Sequence, residues 1–162
     1  ADAPATVIGA ISTHAGDAGV LEHGCMTVAC LAAGFGNAGT RRDVLMDAGA
    51  VEIVLNGMDA HADDADVAQW GCWAIARLAT GMSNVAGRRS RLREAGAHAR
   101  VLAAMVAHPN HAGVARAGEE AVRYLASGSA GAAGASGNAV FTAGRSGGGA
   151  GRGGRRRRRR GW

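Results

Sequence analysis

Between Val67 and Ala79 the apolar positions fall on helical spacings. Val67, Gly71, Ala74, Ile75 and Leu78 recur as one face of a 3.6-residue helix, and Asp66, Trp70, Trp73 and Arg77 recur at the same spacing on another face. The first stripe predicts a buried face. The second mixes indoles with charge and predicts a surface.

The same pattern returns at a displacement of 47 residues. Gly24-Cys25 falls on Gly71-Cys72, with Gly118 after it, and Val20, Val67 and Val114 coincide. His14, His61 and His108 coincide, as do Leu31-Ala32, Leu78-Ala79 and Leu125-Ala126. A fixed period of this length, without a gap, marks an α-solenoid, in which each unit buries its apolar face against its neighbours. Units of about 3–36, 37–83 and 84–126 are expected, together forming a repeat region over 1–126 with about eight helices and no strand.

Each unit can be read from its punctuation. Asn37 or Asn84 precedes an arginine pair, Arg41-Arg42 or Arg88-Arg89, and a short helix then ends at Ala48 or Ala95. Gly49 and Gly96 allow a sharp turn, because a residue without Cβ takes positive φ readily. A second helix runs from Val51 to about Ala60, and in the next unit from His98 to about Ala107. Ala62-Asp63-Asp64 and Pro109-Asn110 break the chain, with Asp or Asn side chains expected to cap the third helix.

This three-helix unit resembles the armadillo repeat. The resemblance rests on Asn37, Arg42, Leu45, Ala48-Gly49-Ala50-Val51, Leu55, Met58, Val67-Ala68-Gln69 and Trp73-Ala74-Ile75-Ala76-Arg77-Leu78-Ala79, and covers about residues 3–126. It implies a right-handed α-solenoid of about three units. HEAT repeats usually have two helices, so the short first helix and its glycine favour the armadillo type. The first unit starts at its second helix with no polar cap before it, so an open apolar edge and a longer parent protein are expected.

Charge divides the chain in two. Through Ala126 there are 10 Arg against 13 Asp and Glu; from Ser127 onward there are 8 Arg and no acid, giving the overall +5. Residues 127–162 are rich in Gly, Ala and Ser and end in an arginine run. They have no periodic apolar face, so disorder is expected. The run Arg155, Arg156, Arg157, Arg158, Arg159 and Arg160 is a candidate for holding nucleic acid or an anionic membrane surface. A solvated low-complexity tail is the competing reading, and with only Phe141 and Trp162 to interleave, base stacking has thin support.

Cys25, Cys30 and Cys72 form no C-x-x-C pair and read as buried thiols in a reducing compartment. No apolar run of membrane-spanning length occurs, and residues 1–20 lack the basic start of a signal peptide. The expected location is cytoplasmic, with the nucleus as the alternative.

Chemistry of other kinds finds no constellation. His14, His61 and His108 occupy one repeat position and would lie a unit apart, whereas zinc ligands converge on one ion. They suit helix C-termini instead. Asp63, Asp64 and Asp66 suit a helix start, and Gly34, Gly36 and Gly39 lie between helices, not after a strand as a phosphate loop requires. The expectation is a protein that is no enzyme and takes no metal or cofactor.

The armadillo resemblance further implies that the third helices line a concave groove for an extended peptide or another protein. Moving the stripe by 47 residues makes His23, Met26, Trp70, Trp73, Arg77, Glu120 and Tyr124 the candidate contact residues, with Cys30 at the same repeat position as Arg77. Trp, Tyr and Arg dominate binding hot spots; the competing reading is that both indoles pack between third helices. The family's nuclear-import members pair a Trp with an Asn one turn on. Arg77 stands where that Asn would be, so nuclear import does not follow and a groove for another partner does.

Overall fold

The computed structural model describes residues 3–34 and 36–127. Within them the regular structure is helical, with no strand: α1 (Ala3–Thr13), α2 (Ala18–Ala33), α3 (Ala38–Asp47), α4 (Ala50–Ala60), α5 (Ala65–Leu78), α6 (Val85–Glu94), α7 (Ala97–Ala107) and α8 (Ala112–Ala126). The tail from residue 128, with its candidate Arg155–Arg160 run and its expected disorder, lies outside the described residues.

Helix starts keep the sequence period. Ala3, Ala50 and Ala97 open α1, α4 and α7; Ala18, Ala65 and Ala112 open α2, α5 and α8. The packing follows two rows. α5 lies between α2 and α8, with which it makes the two largest helix contacts, and α4 contacts both α1 and α7.

Local chemistry explains the boundaries. Gly49 (φ +91°) and Gly96 (φ +79°) take the left-handed turn between α3 and α4 and between α6 and α7. The third-helix caps form their own repeat: Asp17 accepts from the Val20 N–H, Asp64 from the Asp66 and Val67 N–H groups, and His111 Nδ1 from the Val114 N–H. His111, not Asn110, is therefore the cap of α8, because it holds the position 47 residues after Asp64.

The stripe Val67, Gly71, Ala74, Ile75 and Leu78 is buried as expected, and Ala68, Cys72 and Ala76 are buried as well. α5 is thus covered on two sides, by α2 and by α8. One close approach recurs in each period. A Cβ on Gly24 would lie 2.6 Å from the Ile11 side chain, and one on Gly71 2.6 Å from Met58; Gly118 meets Met105 in the same way. Glycine there lets the preceding helix press its longest apolar side chain against the backbone.

The histidines do more than sit at helix ends. His61 Nε2 lies 3.2 Å from the Ala15 carbonyl and His108 Nε2 2.9 Å from the Ala62 carbonyl. A carbonyl only accepts, so both rings carry the proton on Nε2. Each ring reaches back to the loop one period earlier, forming a rung between neighbours.

Candidate interaction groove

α5 presents Trp70, Trp73 and Arg77 on its half-buried side, while the opposite side is sealed in the core. α2 contributes Ala29, Cys30 and Ala33, and α8 contributes Arg116. Together these residues line an open groove of about 420 Å³. Both indoles also rest against the core with part of their surface, so packing and exposure coexist in the same side chains.

Charge is arranged around Trp73. The Arg77 guanidinium carbon lies 4.9 Å from the ring centre and that of Arg116 6.0 Å, both within cation–π reach. Arg77 is also held by Glu120, at 3.5 Å from Nη1 to Oε1. Arg116 is exposed and has no carboxylate within ion-pair distance among the described residues. A smaller hollow of about 250 Å³ adjoins it, lined by Arg116, Glu119, Glu120 and Arg123. The arrangement can offer flat apolar surface, a fixed cation and a second cation without a carboxylate partner. An extended chain bearing an apolar and an acidic side chain would satisfy it.

The candidate residues divide accordingly. Trp70, Trp73 and Arg77 share the groove, and Glu120 joins them through Arg77. Tyr124 is half-buried, with the Arg123 guanidinium 4.9 Å from its ring centre. Met26 is half-buried on α2 and does not line this groove. His23 is exposed and borders a different hollow, beside Val20 and Thr27 at the N-terminal end of the packed helices. Its Nδ1 lies 2.8 Å from the Gly19 carbonyl.

Sequence reasoning missed two things. Arg116 belongs to the groove although it is off the stripe that was followed; its spacing four residues before Glu120 was the available signal. The arginine pairs, which mark each unit in the sequence, also close helix ends. Arg41 Nε donates to the Leu31 carbonyl, Arg42 Nε to Arg77, and Arg89 Nε to Ala79. Arg88 is fully buried and donates from Nε to Leu78, from Nη2 to Thr80 and from Nη1 to Asp43 Oδ1 at 2.9 Å. These are the free carbonyls at the ends of α2 and α5, where a cation is also favoured by the helix dipole.

The cysteines split too. Cys25 and Cys72 are buried, and burial pushes both thiols from an ordinary 9.0 up to about 12. Cys30 is exposed at the groove, a departure from the expectation that all three are buried. Among the described residues no group of His, Cys, Asp and Glu is placed to hold a metal ion, and no helix is long and apolar enough to cross a membrane.

No protein-family model matches the chain, and no curated protein or solved structure matches it.

Proposed function

We propose that the chain is a right-handed, armadillo-like α-solenoid that acts as a non-catalytic scaffold, taking an extended peptide or another protein along α2, α5 and α8. The observation that carries this reading is the groove at Trp73, where an indole is flanked by two guanidinium groups and bordered by small apolar residues. Such a surface offers an aromatic anchor and orienting charge in one place, the composition of a binding hot spot. Activity in the cytoplasm or nucleus is part of the same proposal. The rival reading places binding in the Arg155–Arg160 run, with the helices as a structural module.

An array of extended peptides selects ligands, and tryptophan emission in a Trp162→Phe background then measures their affinity, because Trp70 and Trp73 are the remaining indoles. Trp73→Ala is expected to weaken binding by about 2 kcal/mol, roughly 30-fold. Equal affinity in the variant, or a stability loss of about 3–5 kcal/mol, would mean that Trp73 packs and does not bind. Affinity that collapses between low and moderate salt, and with deletion of 155–160, would transfer the function to the tail.

A further inference from the structure

α2, α5 and α8 begin from caps of one backbone shape, and the last cap differs in its chemistry. Asp17, Asp64 and His111 stand before these helices in extended conformation, with φ of −101°, −93° and −92° and ψ of 115°, 112° and 102°. Each side chain accepts the backbone N–H three residues on. Val20 donates to Asp17 Oδ1 at 3.0 Å, Val67 to Asp64 Oδ1 at 3.1 Å and Val114 to His111 Nδ1 at 3.2 Å.

A carboxyl group keeps an acceptor oxygen whether or not it is protonated, whereas imidazole accepts only while one ring nitrogen is bare. A backbone N–H only donates, so Nδ1 of His111 is the bare nitrogen and Nε2 carries the proton. A second proton, which imidazole takes up between about pH 8 and about pH 5, goes to Nδ1 and removes the acceptor. It also sets a positive charge against the N-terminus of α8, where the helix dipole disfavours a cation. Both effects have one sign: the cap holds at the alkaline side of that range and is lost as pH falls. The rungs of the histidine ladder behave otherwise. His61 and His108 donate from Nε2 to the Ala15 and Ala62 carbonyls, and an imidazolium still donates from Nε2.

Solvent reaches the ring. His111 is half-buried and, with Ala65, His108, Pro109 and Asn110, lines an open hollow of about 300 Å³. No carboxylate lies within ion-pair distance of it among the described residues. α7 brings His108 to this hollow, with its Nε2 already on the Ala62 carbonyl. α5 brings Ala65 and, beside Gly113, the neutral Gln69, with Asp64 as its cap and Asp66 in its first turn. On α8 itself the first charged residue is Arg116.

We propose that His111 is a pH-operated cap: neutral, it holds the start of α8, and on acidification it lets that turn go, as Asp17 and Asp64 do not. Arg116 and Glu120 stand on the following turns of the same helix, so release loosens the α8 wall of the groove at Trp73. That consequence rests on the proposed binding at the groove, whereas the switch is read at Val114 whatever the groove binds.

Amide exchange of the full chain at about pH 7.5 and about pH 5, expressed as protection factors, tests the switch. Protection at Val114, Ala115 and Arg116 is expected to fall at least about fivefold at the lower pH, the usual worth of an N-cap, while Val67 and Ala68 of α5 keep theirs. Nitrogen NMR should show the His111 ring passing from the Nε2–H form to the doubly protonated form over the same range. His111→Asp should keep α8 protected at both pH values, and Asp64→His should carry the pH dependence to α5. Unchanged protection at the start of α8, or an equal fall in His111→Asp, would overturn the proposal. A peptide selected for the groove should lose affinity at the lower pH in the parent chain and not in His111→Asp. If protection falls as expected but no peptide binds, the groove reading fails and the switch stands.

Discussion

The contact of α5 with α2 and its contact with α8 occupy equivalent places in the period and are built differently. The α5–α8 contact carries the ion pair Arg77–Glu120. The other ion pairs that join two helices among the described residues link residues 38–60 to residues 85–107: Arg88–Asp43 and Arg91–Asp47 between α6 and α3, and Arg100–Asp59 between α7 and α4. For the first and last of these pairs the positions one period earlier are apolar or neutral. Cys30 and Trp73 stand where Arg77 and Glu120 stand one period later, and Ser12 and Ile53 stand where Asp59 and Arg100 stand. One backbone spacing therefore tolerates two kinds of adhesive. The candidate groove lies where an ion pair gives way to a thiol and an indole.

The comparison breaks first at Arg88. Replacing it with Ala leaves the Leu78 and Thr80 carbonyls and Asp43 without their buried cation, and chemical denaturation should show a loss of about 3–5 kcal/mol. On the other side, Leu21→Ala opens a cavity beside Gly57 and should cost about 2–5 kcal/mol. Hydrogen exchange locates the damage: α6 to α8 in the first variant, α1 and α2 in the second. If both variants loosen the same helices, the two contacts are not separate structures.

A third expectation concerns alkaline pH. Well below pH 9.0 the thiols of Cys25 and Cys72 are neutral whether the chain is folded or not. As pH rises further the unfolded chain ionises them, while the folded chain keeps them protonated toward about 12, so stability falls through that window. Melting temperature should decline more steeply above pH 9 than in Cys72→Ala. At neutral pH a thiol reagent should label Cys30 in the native protein and the other two only on unfolding. The smallest effect is that of salt. Arg91–Asp47 and Arg100–Asp59 are largely exposed, so each contributes about 0–1 kcal/mol and added salt should shift the melt only slightly.

Helix order was legible because punctuation and period agreed. Gly49 and Gly96, Asp64, and the stripe from Val67 to Leu78 each mark a boundary or a face by local chemistry alone. Arg88 was not legible, since an arginine in a polar segment reads as surface; it is buried by carbonyls at the end of α5 that no local pattern reveals. In the candidate groove, Trp70, Trp73 and Arg77 share one helix face and were found by spacing. His23, reached by translating the same stripe along the period, borders the hollow beside Val20 and Thr27 and not the groove at Trp73. Arg116 was missed for the complementary reason: a long side chain reaches beyond the stripe on which its Cα lies.

The constant step between helices also bears on how fast such a chain folds. Bringing α2 onto α5, or α8 onto α5, closes a loop of one period, and the entropy of closure depends only on that length, rising by about 0.6 kcal/mol for each doubling. Adding further helices of the same spacing would lengthen the polypeptide without lengthening the loops that must close. Relative contact order would then fall as the array grew, and the barrier to ordering each neighbour would stay that of a short chain.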